Sequence, residues 1–195
     1  MDPRIRLLRH ALENRPARAV PRSEDLAESA VALVLRPEAD LELLFIKRAE
    51  HERDPWSGHM ALPGGRRNRA DPDLLATALR ETEEETGVAP RLCTFIGTLD
   101  EVAPGNPRLP RLMIAPFLVC VPPATPAMPA SHEVTATVWI PLAALREPGA
   151  VSELLVEFEG TSRAYPSLRY GEYVIWGLTH RILTQFFELA SSVGL

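Results

Sequence analysis

Residues 61–88 read ALPGGRRNRADPDLLATALRETEEETGV, and this stretch decides how the rest of the chain is understood. It joins a Gly-Gly pair, an arginine-rich polar run and a segment with helical signals at both ends. Asp71 offers an acceptor to the free amides of a first turn, and Pro72 suits the first helical position, where a missing N–H is harmless. Asp73 favours the positive end of the helix dipole. Gly87 stands where a left-handed C-terminal residue is wanted. A helix over about 71–86 is therefore predicted, with Leu74, Leu75, Ala78, Leu79 and Thr82 on its packing side.

Glu81, Glu84 and Glu85 follow one another at i, i+3 and i+4, so their carboxylates share one face. Like charges so placed repel by about 0.2–0.5 kcal/mol per pair, a cost that a purely structural helix has no reason to carry. The plain alternative is a solvated acidic face. Hard oxygen donors grouped this way suit magnesium or manganese, which bind few carboxylates and leave positions for substrate phosphates. The Gly64-Gly65 bend tips the balance, because backbone without side chains can approach a metal or a phosphate closely. Arg80 is placed to reach across and hold a carboxylate.

Working outward, residues 4–14 put Ile5, Leu7, Leu8 and Leu12 on one helical stripe that ends before Pro16. The apolar runs AVALVLRP and LELLFIKR, separated by Pro37-Glu38-Ala39-Asp40, predict a β-hairpin. Downstream, RLCTFIGTLDEV, LMIAPFLVCV and VTATVWIPL are strand candidates, the last two divided by the proline-rich PPATPAMPASHE. LAALREPG resembles a short helix, and LVEFEG with Tyr165–Tyr170 suggests a strand pair. The tail places Ile175, Leu178, Ile182, Phe186 and Leu189 at helical spacing. Strands dominate the middle of the chain. The expected class is α/β in the α+β sense, an α/β/α sandwich with a mixed sheet rather than a doubly wound parallel one. Residues 1–27 read as an N-terminal helix and linker, and 28–195 as the main domain.

The 195 residues suffice for one domain with a proper core. A net charge of −5 offers no attraction to nucleic acid or to an anionic membrane, so neither is an expected partner. A phosphate-bearing ligand would need the local field reversed, and bound divalent cations do that. Cys93 and Cys120 sit singly in apolar runs and read as reduced core thiols. No apolar stretch approaches the roughly 20 residues that span a bilayer, and no signal-peptide core follows the N-terminal arginines, so a cytoplasmic protein is expected.

Gly65 followed by Arg80-Glu81-Thr82-Glu83-Glu84-Glu85-Thr86-Gly87-Val88 resembles the Nudix box, whose second half reads R-E-U-x-E-E-x-G-U with U apolar. The interval from Gly65 to Arg80 is one residue longer than usual, Asp71 is the acid nearest the place of an early glutamate, and Thr82 replaces an aliphatic residue. The resemblance implies a Nudix-type fold and a hydrolase of nucleoside-diphosphate derivatives dependent on Mg²⁺ or Mn²⁺. It assigns the metal to Glu81, Glu84, Glu85 and the Gly65 carbonyl, and the orienting role to Arg80. Arg48-Ala49, Arg53, Gly58 and Leu62-Pro63-Gly64-Gly65 look like the upstream motif of the coenzyme A diphosphatase branch. Ile175-Trp176-Gly177-Leu178-Thr179 also resembles that branch. This implies coenzyme A or an acyl-coenzyme A as substrate, held by Arg48, Arg53, Gly64, Gly65 and Arg66. Glu133 stands where many relatives place an accessory glutamate, so Glu81 or Glu133 is the expected proton acceptor. ADP-ribose or a dinucleotide is the rival substrate, and a non-catalytic nucleotide-binding module the rival of another class. Trp56 and Trp139 read as packing before adenine stacking, and Trp176 as core. Arg66 is favoured over Arg67 and Arg69 as a phosphate ligand. The N-terminal helix offers either a homodimer contact or a lid on the sheet.

Overall fold

The computed structural model describes residues 1–50, 58–105, 111–158 and 161–195. Helix α1 (Pro3–Glu13) is capped by the Asp2 side chain, which accepts from the Arg4 amide. Ile5, Leu8 and Leu12 are buried, so α1 is a lid on the core; Leu7, expected on that stripe, is 46% exposed. The three buried side chains complete the packing face without it.

The predicted hairpin forms, but not as a simple ladder. Strands β1 (Ala27–Pro37) and β2 (Leu41–Arg48) pair only at their joined ends, from Leu35↔Leu43 to Pro37↔Leu41. Beyond that they splay, and a short segment enters the gap. Strand β3 (Met60–Ala61) pairs with β2, and β4 (Gly64–Arg66) pairs with β1. Between them the Ala32 amide donates to the Pro63 carbonyl at 2.9 Å, so the proline costs no ladder bond.

Helix α2 (Leu74–Thr86) follows. After a single 3₁₀ turn come β5 (Thr94–Thr98), β6 (Leu112–Cys120) and β7 (Val134–Pro141). β6 runs parallel to β1 from Ala27↔Leu112 to Leu35↔Cys120, β5 is antiparallel to β6, and β7 lies on the outer side of β2. Among the described residues these seven strands form one mixed sheet. Helix α3 (Leu142–Arg146) leads to a three-stranded antiparallel meander of β8 (Val151–Phe158), β9 (Thr161–Tyr170) and β10 (Tyr173–Trp176), and α4 (Gly177–Ser192) closes the chain.

Alternation along β1 divides the core in two, as the period of a strand requires. Ala30, Ala32 and Val34 face α2 through Ala78, together with Leu44, Val88 and Val119. Leu33 and Leu35 face the larger cluster, where Ile5 and Leu8 of α1 meet Ile182, Leu183 and Phe186 of α4. The sheet is thus covered on both faces, and the mixed-sheet sandwich expectation holds. No helix among the described residues is long and apolar enough to cross a membrane.

Three local expectations are corrected. α2 begins at Leu74 with Asp73 as its cap, the carboxylate accepting from the Ala76 amide at 2.8 Å, so neither Asp71 nor Pro72 plays its assigned part. The tail is not helical from Ile175. That residue belongs to β10, and Gly177 at φ +65° turns the chain into α4. Trp176 is half-buried rather than core, its ring 4.8 Å from His59 and 5.5 Å from Tyr165. Trp139 is half-buried beneath the Arg36 guanidinium, 4.1 Å from its ring centre.

Candidate active site

The insertion between β1 and β2 lays β4 along α2, and three successive residues meet three functional side chains. The Gly64 amide donates to Glu85 Oε2 at 2.9 Å. A β-carbon on Gly65 would stand 2.5–2.7 Å from the Glu81 carboxylate, so the bare backbone lies flush against it. The Arg66 carbonyl accepts from Arg80 Nη2 at 3.2 Å. Gly64 is also confined by the sheet, since it sits at φ +154° and a β-carbon there would come within 2.2 Å of the Ala30 carbonyl oxygen. The paired glycines are therefore required by two different close approaches.

Arg80 organises the carboxylates. Its guanidinium bonds Asp71 in a bidentate fork, with Nε and Nη2 each 3.0 Å from an oxygen, while Nη1 reaches Glu81 at 2.9 Å and Glu84 at 3.0 Å. Asp71 is 8% exposed and accepts further bonds from the Asn68 amide and the Thr77 hydroxyl. The Arg80 guanidinium above all holds the Asp71 carboxyl well below the usual carboxylate range. In return Asp71 holds Arg80 even more firmly protonated. This anchoring pair was not legible as such. The only hint was an acid near the place of the expected early glutamate, and its local context favoured a helix cap.

Glu85 is 5% exposed, and burial pushes its carboxyl up to about 8, the Gly64 amide hydrogen bond and the charge of Arg48 opposing and the charges of Glu81 and Glu133 adding. Glu81 is raised too, chiefly by desolvation, against the pull of Arg80. Glu84 is exposed and carries its ion pair at the rim. Glu133 is exposed, and its carbonyl accepts from the Ala49 amide at 2.7 Å. Its charge is the weakest of the influences that raise Glu81 and Glu85. Arg48 ends β2 half-buried, its amide donating to the His59 carbonyl at 3.0 Å. Arg66 exposes its side chain, whereas Arg67 pairs with Glu28 at 2.9 Å. Arg53 and Trp56 lie outside the described residues.

The donor set suits a divalent cation. It is all hard oxygen, it includes a buried acid that keeps its proton near neutral pH unless a cation compensates, and it lies against bare glycine backbone where a β-carbon would collide with Glu81. Among the described residues no three acidic, histidine or cysteine side chains are already gathered closely enough to hold an ion, since Glu81 and Glu84 lean on Arg80. Holding one requires these two to exchange part of that contact for the ion. A cysteine mechanism has no support, because burial pushes the Cys93 thiol up to about 11 and raises Cys120 as well.

The NUDIX domain model matches residues 26–157. The uncharacterized Nudix hydrolase NudL of Salmonella paratyphi B and that of Salmonella enteritidis are each 33% identical to this chain over 165 residues, covering 85% of it and 81% of the relative. Among solved structures, a MutT/nudix family protein from Enterococcus faecalis superposes with a TM-score of 0.60 at 19% identity, covering 92% of this chain and 66% of that one. A binary complex of the C. elegans Ap4A hydrolase gives 0.50 at 20% identity over 60% of this chain and 82% of its own, a likeness of fold. Members of the family generally use divalent metal ions. With its glutamate helix, glycine bend and mixed-sheet sandwich, the chain belongs to the Nudix family and is a hydrolase acting on a phosphoanhydride bond.

Proposed function

We propose that the enzyme cleaves the diphosphate of coenzyme A or an acyl-coenzyme A, leaving 3′,5′-ADP and a 4′-phosphopantetheine. One observation carries the hydrolytic reading: the Gly64 amide donates to Glu85 and the bare Gly65 backbone lies against Glu81, so both carboxylates meet main chain with no side chain between. Mg²⁺ or Mn²⁺, held by Glu81, Glu84, Glu85 and the Gly65 carbonyl, would supply charge neutralisation at the diphosphate and acidify a water. The remaining work belongs to the chain. Asp71 fixes Arg80, and Arg80 holds Glu81 and Glu84 together by its ion pairs with both. Glu81 or Glu133 accepts the proton of the attacking water. Arg48, Arg53, Gly64, Gly65 and Arg66 bind the substrate. The coenzyme A branch is supported by Arg48-Ala49, Arg53, Gly58 and Leu62–Gly65. The two free cysteines are consistent with a reducing, cytoplasmic setting.

A panel of coenzyme A, acyl-coenzyme A, ADP-ribose and dinucleotides, with products identified by mass spectrometry, tests the reading. Metal-dependent release of 3′,5′-ADP is expected, and a chelator should abolish it. Faster cleavage of ADP-ribose or a dinucleotide would replace the substrate assignment. Tight nucleotide binding without turnover would point to a binding module. Glu84→Gln should cost more than Glu133→Gln, since general-base help is worth about 10²–10⁴-fold while the metal is required outright.

A further inference from the structure

The segment between β6 and β7 is neither helix nor strand, yet it is tied down along its length. It contains Pro122, Pro123, Pro126 and Pro129, which restrict the backbone before it folds. Thr125 is buried, its hydroxyl donates to the Pro122 carbonyl at 2.6 Å, and its own carbonyl accepts from Arg36 at 2.8 Å. The Ala127 carbonyl accepts from the Thr137 hydroxyl at 3.1 Å. The last carbonyls of a helix have no partner within it. Here the Met128 amide donates to the Thr86 carbonyl and the Ala130 amide to the Glu85 carbonyl, both at 3.1 Å. Pro129 between them has no N–H, so every amide from 128 to 130 is bonded to the end of α2. Three residues later the chain delivers Glu133, whose carbonyl is fixed by the Ala49 amide at 2.7 Å.

We propose that this proline-rich strap is a stiff spacer that clamps the end of the glutamate helix and sets Glu133 against it, the amides of Met128 and Ala130 acting as positioning groups. The inference rests on the reading in which Glu133 serves the hydrolytic site. Neither amide touches substrate. Each acts through where it places Glu133 relative to the end of α2. Met128 is 63% exposed and Ala130 is exposed, so their side chains have little packing to lose and the backbone donor is the feature at stake.

The test compares Ala130→Pro, which removes the donor, with Ala130→Ser, which keeps it, in the full-length protein with Mg²⁺ and the best substrate of the panel. Ala130→Pro should lower kcat by about 10–100-fold, the scale of a misplaced catalytic group, with KM changed less than about twofold. Ala130→Ser should keep the wild-type kcat. Introduced into Glu133→Gln, Ala130→Pro should add almost nothing, because the group it positions is already silenced. A full multiplicative loss in that double variant, or a wild-type kcat in Ala130→Pro, overturns the proposal while leaving the hydrolase reading intact. A wild-type kcat in Glu133→Gln alone overturns the role given to Glu133, and the strap inference with it. If Ala130→Pro fails to fold, Met128→Pro takes its place, and amide exchange in the unaltered protein decides independently. Met128 and Ala130 amides that exchange as fast as free ones refute the clamp.

Discussion

Replacing Gly65 by alanine should silence the enzyme while leaving it folded. The added β-carbon would lie 2.5 Å from Glu81 Cδ and 2.6 and 2.7 Å from its oxygens, whereas ordinary contact begins near 3.4 Å. The carboxylate must withdraw by about 0.9 Å, and as the far end of a flexible side chain it can do so at little cost to the fold. A displacement of about 1 Å in a catalytic constellation costs on the order of 10²-fold in rate, or about 2.7 kcal/mol of transition-state stabilisation. The neighbouring Gly64→Ala should behave oppositely in kind. Its β-carbon meets backbone, the Ala30 carbonyl oxygen at 2.2 Å and Val31 Cα at 2.6 Å, at φ +154°. Overpacking of this sort costs about 1–3 kcal/mol, a fall in Tm of roughly 2–12 °C for a chain of this size. The assay is kcat/KM with saturating Mg²⁺ beside a thermal melt for each variant. A Gly65→Ala protein that turns over at the wild-type rate refutes the reasoning, as does one that loses more stability than Gly64→Ala.

Arg80→Lys should reduce kcat by about 10–100-fold, because an ammonium cannot make the Asp71 fork while reaching Glu81 and Glu84; a pH–rate profile with unchanged amplitude would argue against it. Asp71 carries a depressed folded-state pKa, so its contribution to stability is complete above the ordinary aspartate range and drains away as pH falls below it. Chemical denaturation between pH 6 and 3 should show wild-type stability falling more steeply than that of Asp71→Asn, and parallel curves would contradict the pairing. Glu85, raised to about 8, must release its proton when a cation binds. Mg²⁺ affinity measured calorimetrically should climb from pH 6 and level off near 8, with protons released below that point. A flat profile would exclude Glu85 as a ligand.

The elements written in local periodicity were legible: the apolar runs of β1 and β2, the strands after α2, and Gly87 at φ +71° ending the helix. What escaped was decided by distant partners. Asp71 and Asp73 both precede the same apolar run and both qualify as caps, and only the arrival of Arg80 from nine residues on separates anchor from cap. Ile175 fits the period of α4 by coincidence, since it points into the same core from a strand. The parallel pairing of β1 with β6 leaves no short-range mark, because a strand buried on both faces reads as a plain apolar run. Within the site, the carboxylate spacing on α2 was visible and Glu133 was expected through the resemblance, whereas the course of the chain that leads to Glu133 is set by a segment without secondary structure.

The fork between β1 and β2 has a consequence for how such an enzyme can change. Because β3 and β4 are hydrogen-bonded into the middle of the sheet, the chemistry is bolted to the same beams that keep the protein standing, and it cannot drift without the whole frame. Novelty in what is bound must then enter through the appendages hung around that frame, notably the meander of β8 to β10. A lineage can swap its substrate by remodelling these while the reaction at the centre stays as it was.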